Sequence, residues 1–145
     1  MRQEWNDLAF VHWPVPVEAV QDRLPSGLYA DLHDGHAWVG VVPFRMSGIR
    51  PRGCPPVPWL SHFLEFNIRT YVRSKNPEDA KPGVCFFSLD AANPVAVELA
   101  RAIYMLPYFH AKMSLEENGD RIQYRTRRIH RGAPAADFAG EYGPT

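Results

Sequence analysis

The pattern of apolar and polar positions along the chain predicts a domain built mainly from short strands. The most regular alternation runs from Phe63 to Arg73, where side chains of the two kinds follow one another residue by residue. This is the pattern of a strand with two different faces. One face carries Leu64, Phe66, Ile68, Thr70 and Val72. The opposite, polar face carries Glu65, Asn67, Arg69, Tyr71 and Arg73.

Short apolar runs that end at turn residues predict further strands on both sides of this one. The predicted strands are Leu8–Trp13, Leu28–Leu32, Ala37–Phe44, Gly83–Leu89, Phe109–Glu116 and Arg121–Arg128. Asp34-Gly35 and Asn118-Gly119 are dipeptides that favour tight turns, so we expect a hairpin at each of them. The glycines and prolines between 47 and 58 indicate a loop, and the Ala/Gly/Pro-rich segment from Gly132 onward predicts no further element.

Two helices interrupt the strands. Pro16 is placed to begin a short helix that Pro25 ends, with Val17, Val20 and Leu24 on one face. Asn93-Pro94 pairs a good N-cap residue with proline at the first helical position, and apolar residues then recur at helical spacing up to Pro107. The predicted fold class is α+β and mostly antiparallel, with a curved sheet or cone-like partial barrel and two short helices.

Composition narrows the class of protein and its partners. With 145 residues and 46% hydrophobic residues, positions 1–145 suit a single domain. No stretch approaches the ~20 apolar residues of a membrane helix, and sixteen basic residues balance sixteen acidic ones, so we expect neither a membrane nor a nucleic acid as partner. Two cysteines, Cys54 and Cys85, make no disulfide framework, which favours the cytoplasm.

The polar face of the central predicted strand is the first candidate site. Side chains two residues apart lie ~7 Å apart along a strand, so Glu65 and Arg69 would be ~13 Å apart and a small polar ligand could lie between them. An acid, an amide, a guanidinium and a phenol on one wall can orient a carboxylate or a carbonyl compound. The alternative is that this face is the solvated outer surface of an antiparallel sheet.

Tyr108, His110 and Lys112 share one face of a later strand and form the second candidate. A buried lysine can form a Schiff base and a tyrosine can act as an acid or donor, whereas the alternative is that Tyr108 packs and Lys112 reaches water. The acidic and histidine residues around Asp34-Gly35 are better explained by a turn than by a metal site. The basic run contains Arg125, Arg127, Arg128, His130 and Arg131. A strand would place Arg125 and Arg127 on one face and Arg128 on the other, and with no net charge the run indicates a charged sheet surface and not a nucleic-acid site.

Nucleotide-binding and phosphate-binding glycine motifs, zinc patterns and serine-nucleophile elbows are missing from the sequence, so we expect no metal and no cofactor. Several longer motifs are nevertheless distinctive and occur in a fixed order. They are Trp5-Asn6-Asp7-Leu8, His12-Trp13-Pro14-Val15-Pro16, Asp34 to Phe44, Glu65 to Val72, Phe86 to Ala91, and Leu106-Pro107-Tyr108-Phe109. Over essentially its whole length the chain thereby resembles the YqjF-like family of uncharacterised proteins.

This resemblance implies a fold similar to acetoacetate decarboxylase, which has a cone-like antiparallel β-barrel with flanking helices. Members of the family typically run on past the position of Thr145, so the resemblance implies that 1–145 is the N-terminal part of a longer family domain. Barrel strands left unpaired in such a fragment would favour a homo-oligomer. In a cone, the polar strand face can line a pocket instead of the outside.

The same resemblance implies which residues would stand where the decarboxylases have their Schiff-base lysine. In the decarboxylases a helix ends in a Gly-x-Pro-Lys-Lys segment whose first lysine forms the Schiff base. Here Tyr108 falls at the position of that lysine and Phe109 at the position of its cationic neighbour, and neither side chain can form an imine. Lys112 would lie ~13 Å further along the strand, so it cannot simply substitute. Glu65 resembles an acidic residue of the decarboxylases, so the pocket wall is expected to remain although the nucleophile is lost.

The sequence therefore predicts a domain that binds a small carboxylate or oxo compound without acetoacetate decarboxylase activity. The predicted ligand-binding residues are Glu65, Asn67, Arg69, Tyr71 and Tyr108. Catalytic residues stay unknown, with Tyr108 and Glu65 as candidates, and the residues leave open whether any reaction is catalysed. The alternatives are a decarboxylase-like or aldol-like lyase that uses Lys112, and a non-catalytic interaction domain.

Overall fold

The computed structural model describes residues 2–50, 52–79 and 81–144. In these ranges the chain forms nine strands, two α-helices and one 3-10 helix at Pro77–Asp79. In chain order the other elements are β1 Arg2–Asn6, β2 Val11–Val15, α1 Val17–Gln21, β3 Leu28–Ala30, β4 Ala37–Arg50, β5 Phe63–Ser74, β6 Pro82–Ala91, α2 Pro94–Tyr104, β7 Tyr108–Asn118, β8 Arg121–Arg128 and β9 Asp137–Tyr142.

The strands form one curved sheet in the order β1-β4-β5-β6-β7-β8-β9, with β2 beside β4 and β3 beside β5. Each pair is antiparallel except β6 and β7, which run parallel through three residue pairs after the α2 crossover. The predicted mostly antiparallel α+β fold with a curved sheet is confirmed. The cone does not close into a barrel within the described residues, because β9 pairs with β8 alone and β1 with β4 alone.

The turn at Asp34-Gly35 forms without the predicted hairpin of strands. Both residues have positive φ angles, 51° and 77°, and a single bridge joins His33 to His36. However, β3 pairs with β5, and its Ala30 lies opposite Val72. The prediction of a β3–β4 hairpin was wrong because β4 already has β2 on one edge and β5 on the other, so β3 continues along β5 beyond the end of β4.

Three other sequence predictions need correction. The predicted strand Leu8–Trp13 is replaced by β1 and β2, which both pair with β4, with Asp7 at φ 53° between them. β4 also runs to Arg50, into the predicted loop, because β1 supplies a partner there. The segment after Gly132, which predicted no element, forms β9 by pairing with β8.

The second helix and the second hairpin follow the sequence prediction closely. The side chain of Asn93 accepts hydrogen bonds from the backbone N–H groups of Val95 and Ala96, both at 3.0 Å, which satisfies two donors of the first turn of α2. α2 ends at Met105, which has a left-handed φ of 52°, two residues before Pro107. The hairpin of β7 and β8 turns next to Asn118, through Gly119 at φ 60°.

The two faces of β5 belong to different parts of the interior. On one face Phe66 packs with Val41 and with Tyr124 of β8, so β7, β8 and β9 form a second layer over β4 and β5. On the other face Val42, Phe44 and Met46 of β4 form a separate apolar cluster, with Phe63 packed against it. Burial of the apolar face of β5 is the expected driving force for stacking the second layer. The opposite, polar face of β5 lies beneath α2.

A buried ion pair ties β8 to β6. The guanidinium of Arg128 contacts Asp90 Oδ1 through Nη2 at 2.8 Å and Nε at 3.0 Å, and the two side chains are 7% and 1% exposed. The Arg128 guanidinium also lies 4.1 Å from the centre of the Phe109 ring. As the alternation in the sequence predicts, Arg128 points away from the exposed face of Arg125 and Arg127, and β8 turns it inward to Asp90, so this one arginine of the basic run is not part of a charged surface.

We expect Asp90→Asn to lower the free energy of unfolding by about 3 kcal/mol, because it leaves the Arg128 guanidinium buried without its counter-charge. Asp137→Asn is the matched control, since Asp137 pairs with Arg127 at 3.3 Å but both side chains are mostly exposed. That change should cost less than about 1 kcal/mol. Urea unfolding monitored by circular dichroism measures both, and equal losses in the two variants would contradict the prediction.

Candidate functional site

A cavity of about 230 Å³ lies between the polar face of β5 and helix α2. Its walls are mainly apolar side chains, including Trp5, Met46, Phe63, Phe86, Leu89 and Leu106. Ala96 and Ala100, one helical turn apart on α2, also line it, and their small side chains leave space above the sheet. The polar groups of the lining include Glu65 and Asn67 from β5 and Tyr108 from the start of β7.

Glu65 and Tyr108 meet directly in this cavity. The Tyr108 hydroxyl donates a hydrogen bond to Glu65 Oε1 at 3.3 Å, and Glu65 is only 3% exposed. Burial raises the pKa of Glu65 to about 7, although hydrogen bonds from Tyr108 and Asn67 act in the opposite direction. Burial, and then the nearby Glu65 charge, also raise the pKa of Tyr108, so the phenol keeps its proton and remains a donor.

Two polar atoms of this group are buried without a partner among the described residues. They are Glu65 Oε2 and Asn67 Oδ1. Most buried polar atoms in proteins have a hydrogen-bond partner, and an orphaned one costs free energy. Both residues line the same cavity, so a small molecule with a matching polar group could complete the hydrogen bonds that the chain leaves open.

The other two predicted ligand-binding residues lie elsewhere. Arg69 and Tyr71 are not part of the cavity lining. The guanidinium carbon of Arg69 lies 5.0 Å from the centre of the Phe10 ring and 5.8 Å from that of Tyr71. The Tyr71 hydroxyl is 2.6 Å from His12 Nε2. The structure thus brings Glu65, Asn67 and Tyr108 together and separates them from Arg69 and Tyr71, as the twist of a strand would do over this length.

Lys112 and the histidine-rich turn do not contribute to this cavity. Lys112 is exposed on β7, where its register partner is Arg127. His33, Asp34 and His36 lie at an exposed turn, where His36 Nδ1 is 2.8 Å from the backbone oxygen of Asp34. Within 2–50, 52–79 and 81–144 no three His, Cys, Asp or Glu side chains are grouped so that they could hold a metal ion. None of the helices in these ranges is long and apolar enough to cross a membrane.

Comparisons with known proteins confirm the resemblance seen in the sequence. The profile of DUF2071, a family described as an uncharacterized conserved protein, matches residues 2–145. The uncharacterized protein YqjF of Bacillus subtilis (strain 168) is 44% identical over 144 residues. The match covers 99% of this chain and 57% of that relative, so the chain spans little more than half of the relative's length.

Solved structures show the fold. Acetoacetate decarboxylase of Legionella pneumophila superposes with a TM-score of 0.60 at 14% identity, over 86% of this chain and 44% of that one. The enduracididine biosynthesis enzyme MppR complexed with pyruvate gives a TM-score of 0.58 at 14% identity, over 82% of this chain and 49% of the enzyme. The sheet and helices therefore have the acetoacetate decarboxylase-like fold, over a little under half of each of these chains.

Glu65 should make stability depend on pH. Its ordinary pKa of 4.5 rises to about 7 in the folded protein, so between these values the folded state holds a proton that the unfolded state has released. The contribution of Glu65 to the free energy of unfolding is therefore greatest below pH 4.5. It is lost as pH rises through 7, and the total loss is about 3 kcal/mol. We expect Glu65→Gln to remove this part of the slope in urea unfolding measured from pH 4 to pH 8.

The control is Glu116→Gln, because Glu116 is an exposed carboxyl on β7. This change should alter the free energy of unfolding by no more than about 0.5 kcal/mol at any pH in the series. A slope that stays the same in Glu65→Gln would show that Glu65 does not have the raised pKa.

Proposed function

Because the chain belongs to the DUF2071 family of uncharacterized conserved proteins and has an acetoacetate decarboxylase-like fold, we propose that it binds a small oxo or carboxylate compound in the cavity beside Glu65. The main support is the Glu65–Tyr108 hydrogen bond at the wall of an apolar cavity, next to two polar atoms that lack partners. Pockets that bind small molecules typically combine apolar walls with a few placed polar groups.

The hydrogen bonds of Glu65 indicate how it would recognise a ligand. Because its pKa is raised to about 7, this carboxyl is mainly protonated below pH 7. Oε1 accepts the hydrogen bond from Tyr108, so the proton is best placed on Oε2, the oxygen without a partner. A protonated Oε2 can donate to the carbonyl oxygen of a ligand, and the amide of Asn67 can orient that ligand beside it.

The lining favours the oxo group over the carboxylate as the recognised part. No lysine or arginine is among the described residues that line the cavity. An anionic group would therefore be buried there without a counter-charge, which is costly. The volume of about 230 Å³ is below the range typical of drug-sized ligands, so a compound of a few heavy atoms with one carbonyl fits best.

Binding is tested by titration with 2-butanone, acetone and pyruvate, followed by NMR chemical shifts. We expect Ala100→Leu to weaken ketone binding by about tenfold, because the larger side chain fills the cavity, whereas Val95→Leu on the exposed side of α2 should not. In the unmodified protein, ketone affinity should fall as pH rises through 7, since ionised Glu65 no longer donates. Identical affinities in the two helix variants would exclude the cavity as the site, and preferential pyruvate binding would favour the carboxylate.

Schiff-base chemistry is not expected, because Tyr108 lines the cavity where the resemblance puts the reactive lysine. Borohydride reduction in the presence of acetoacetate should leave no adduct on any lysine, as measured by intact mass and peptide mapping. Tyr108→Lys is the positive control, since it places an amine at the position where the resemblance puts the reactive lysine, in a largely apolar cavity. An adduct on Lys112 in the unmodified protein would instead support the lyase alternative.

A further inference from the structure

Resting on the function proposed above, we infer that the ligand is a linear oxo acid that extends from the Glu65 cavity into a second space, the outer groove. The outer groove has a volume of about 460 Å³ and lies between helix α2 and the end of β4. The carbonyl of the ligand lies at Glu65 and its carboxylate at the two arginines of the groove, with an aliphatic chain between them. The residues that line the outer groove but not the cavity are Arg50, Arg52, Leu60, Leu99 and Ile103.

The outer groove and the Glu65 cavity are adjacent. Three residues that line both spaces, Ala96, Ala100 and Tyr104, follow one row of α2 at intervals of about one helical turn. Ile49 of β4 and Phe63 of β5 also line both spaces. Because two members of the helix row are alanines, their small side chains offer little obstruction to an aliphatic chain that passes from one space to the other.

The outer groove has apolar walls that water reaches. Leu99 and Ile103 of α2 are 48% and 64% exposed, although both are large apolar side chains. An aliphatic chain that covers them removes apolar surface from water, and each methylene buried in this way tightens binding roughly fourfold. The walls therefore suit a hydrocarbon chain better than a compact polar ligand.

Two arginines give the outer groove a place for an anion. Its described lining residues include Arg50 and Arg52 and no acidic residue. Arg50 Nη1 donates to the backbone oxygen of Gly48 at 3.2 Å, which holds the guanidinium near the end of β4. In the ranges that the structure describes, no carboxylate lies within ion-pair distance of either arginine, whereas Arg45 and Arg73 each contact an acidic side chain. A ligand carboxylate would supply the counter-charge.

The two polar ends determine the direction and the length of the ligand. No cation is among the described residues that line the Glu65 cavity, so burial of the carboxylate there is costly and its place is at the arginines. Glu65 is the register partner of Phe44, and β4 continues ~20 Å from Phe44 to Arg50. The side chains of Glu65 and Arg50 bridge part of this distance, and pyruvate is too short to bridge the rest. Several methylenes between the carbonyl and the carboxylate fit the span.

The probe is 9-oxodecanoate, a linear acid with a methyl ketone at its far end. In NMR titrations at pH 6, below the pKa of Glu65, we expect it to bind at least tenfold more tightly than 5-oxohexanoate, which has the same two ends and a shorter chain. It should bind about fivefold more tightly than its methyl ester, as expected of an ion pair at a partly exposed surface, and this preference should shrink at high salt. 9-Oxodecanoate should shift resonances of both Leu99 and Tyr108, whereas 2-butanone should shift only those of Tyr108.

Variants of the outer groove test each part of the assignment. Arg50→Met and Arg52→Met should each reduce the preference for the acid over the ester. Arg125→Met is the control, because Arg125 is exposed on β8 without an ion-pair partner among the residues described, and it should keep the preference. Leu99→Gln should weaken 9-oxodecanoate binding severalfold. Val95→Gln, which changes an exposed position of the same helix outside both linings, should leave the affinity within about twofold.

Failure of this inference can be distinguished from failure of the proposed function. If 2-butanone binds but 9-oxodecanoate binds no more tightly than 5-oxohexanoate, or if Arg50→Met and Arg125→Met show the same preference, the inference alone is overturned. Decanoate, which lacks the oxo group, should bind more weakly than 9-oxodecanoate, and equal affinities would also overturn it. Absence of 2-butanone binding would overturn the proposed function and this inference with it. A change of oligomeric state in Leu99→Gln without a change in affinity, measured by sedimentation, would show that a second copy of the chain covers the groove instead.

Discussion

The hydroxyl of Tyr124 joins the two layers of the molecule where β4 pairs with β5. It donates to the backbone oxygen of Glu65 at 2.8 Å and lies 3.4 Å from that of Phe44, and these two residues are cross-strand partners. The ring is fully buried beside Phe66, and this burial raises the pKa of the phenol, which therefore remains a donor. Since Glu65 projects from the opposite face of the same strand, its position depends on how the second layer is seated.

Strand β5 carries two polar groups, Glu65 and Arg69, in different surroundings. At one end Glu65 is enclosed with a phenol and an amide, and burial there disfavours its charge. At the other end the guanidinium carbon of Arg69 lies 5.0 Å from the centre of the Phe10 ring and 5.8 Å from that of the Tyr71 ring. Glu65 and Arg69, which alternation places on one wall, therefore lie in different chemical environments: one is a buried acid and the other a cation beside aromatic rings.

Features that depend on neighbouring residues could be predicted from the sequence. The period-two pattern identified β5 and the face that carries Glu65, and Asn93-Pro94 identified the start of α2. The partner of β3, the strand β9 and the Asp90–Arg128 pair could not be predicted, because each depends on contacts between distant segments. The meeting of Glu65 with Tyr108 was anticipated from the family resemblance, whereas the place of His12 beside Arg69 follows from β2–β4–β5 register, which no local pattern indicates.

The three parallel residue pairs between β6 and β7 bear on the order in which the chain folds. The hairpin of β7 and β8 and its extension to β9 pair residues close in sequence, so their loop-closure cost is small and they can form early. β6 and β7, in contrast, meet across the whole crossover 92–107, through Leu89, Asp90 and Ala91. Pairing of β6 with β7 places both Tyr108 beside Glu65 and Arg128 beside Asp90, so the cavity and the buried ion pair depend on the same long-range strand pairing.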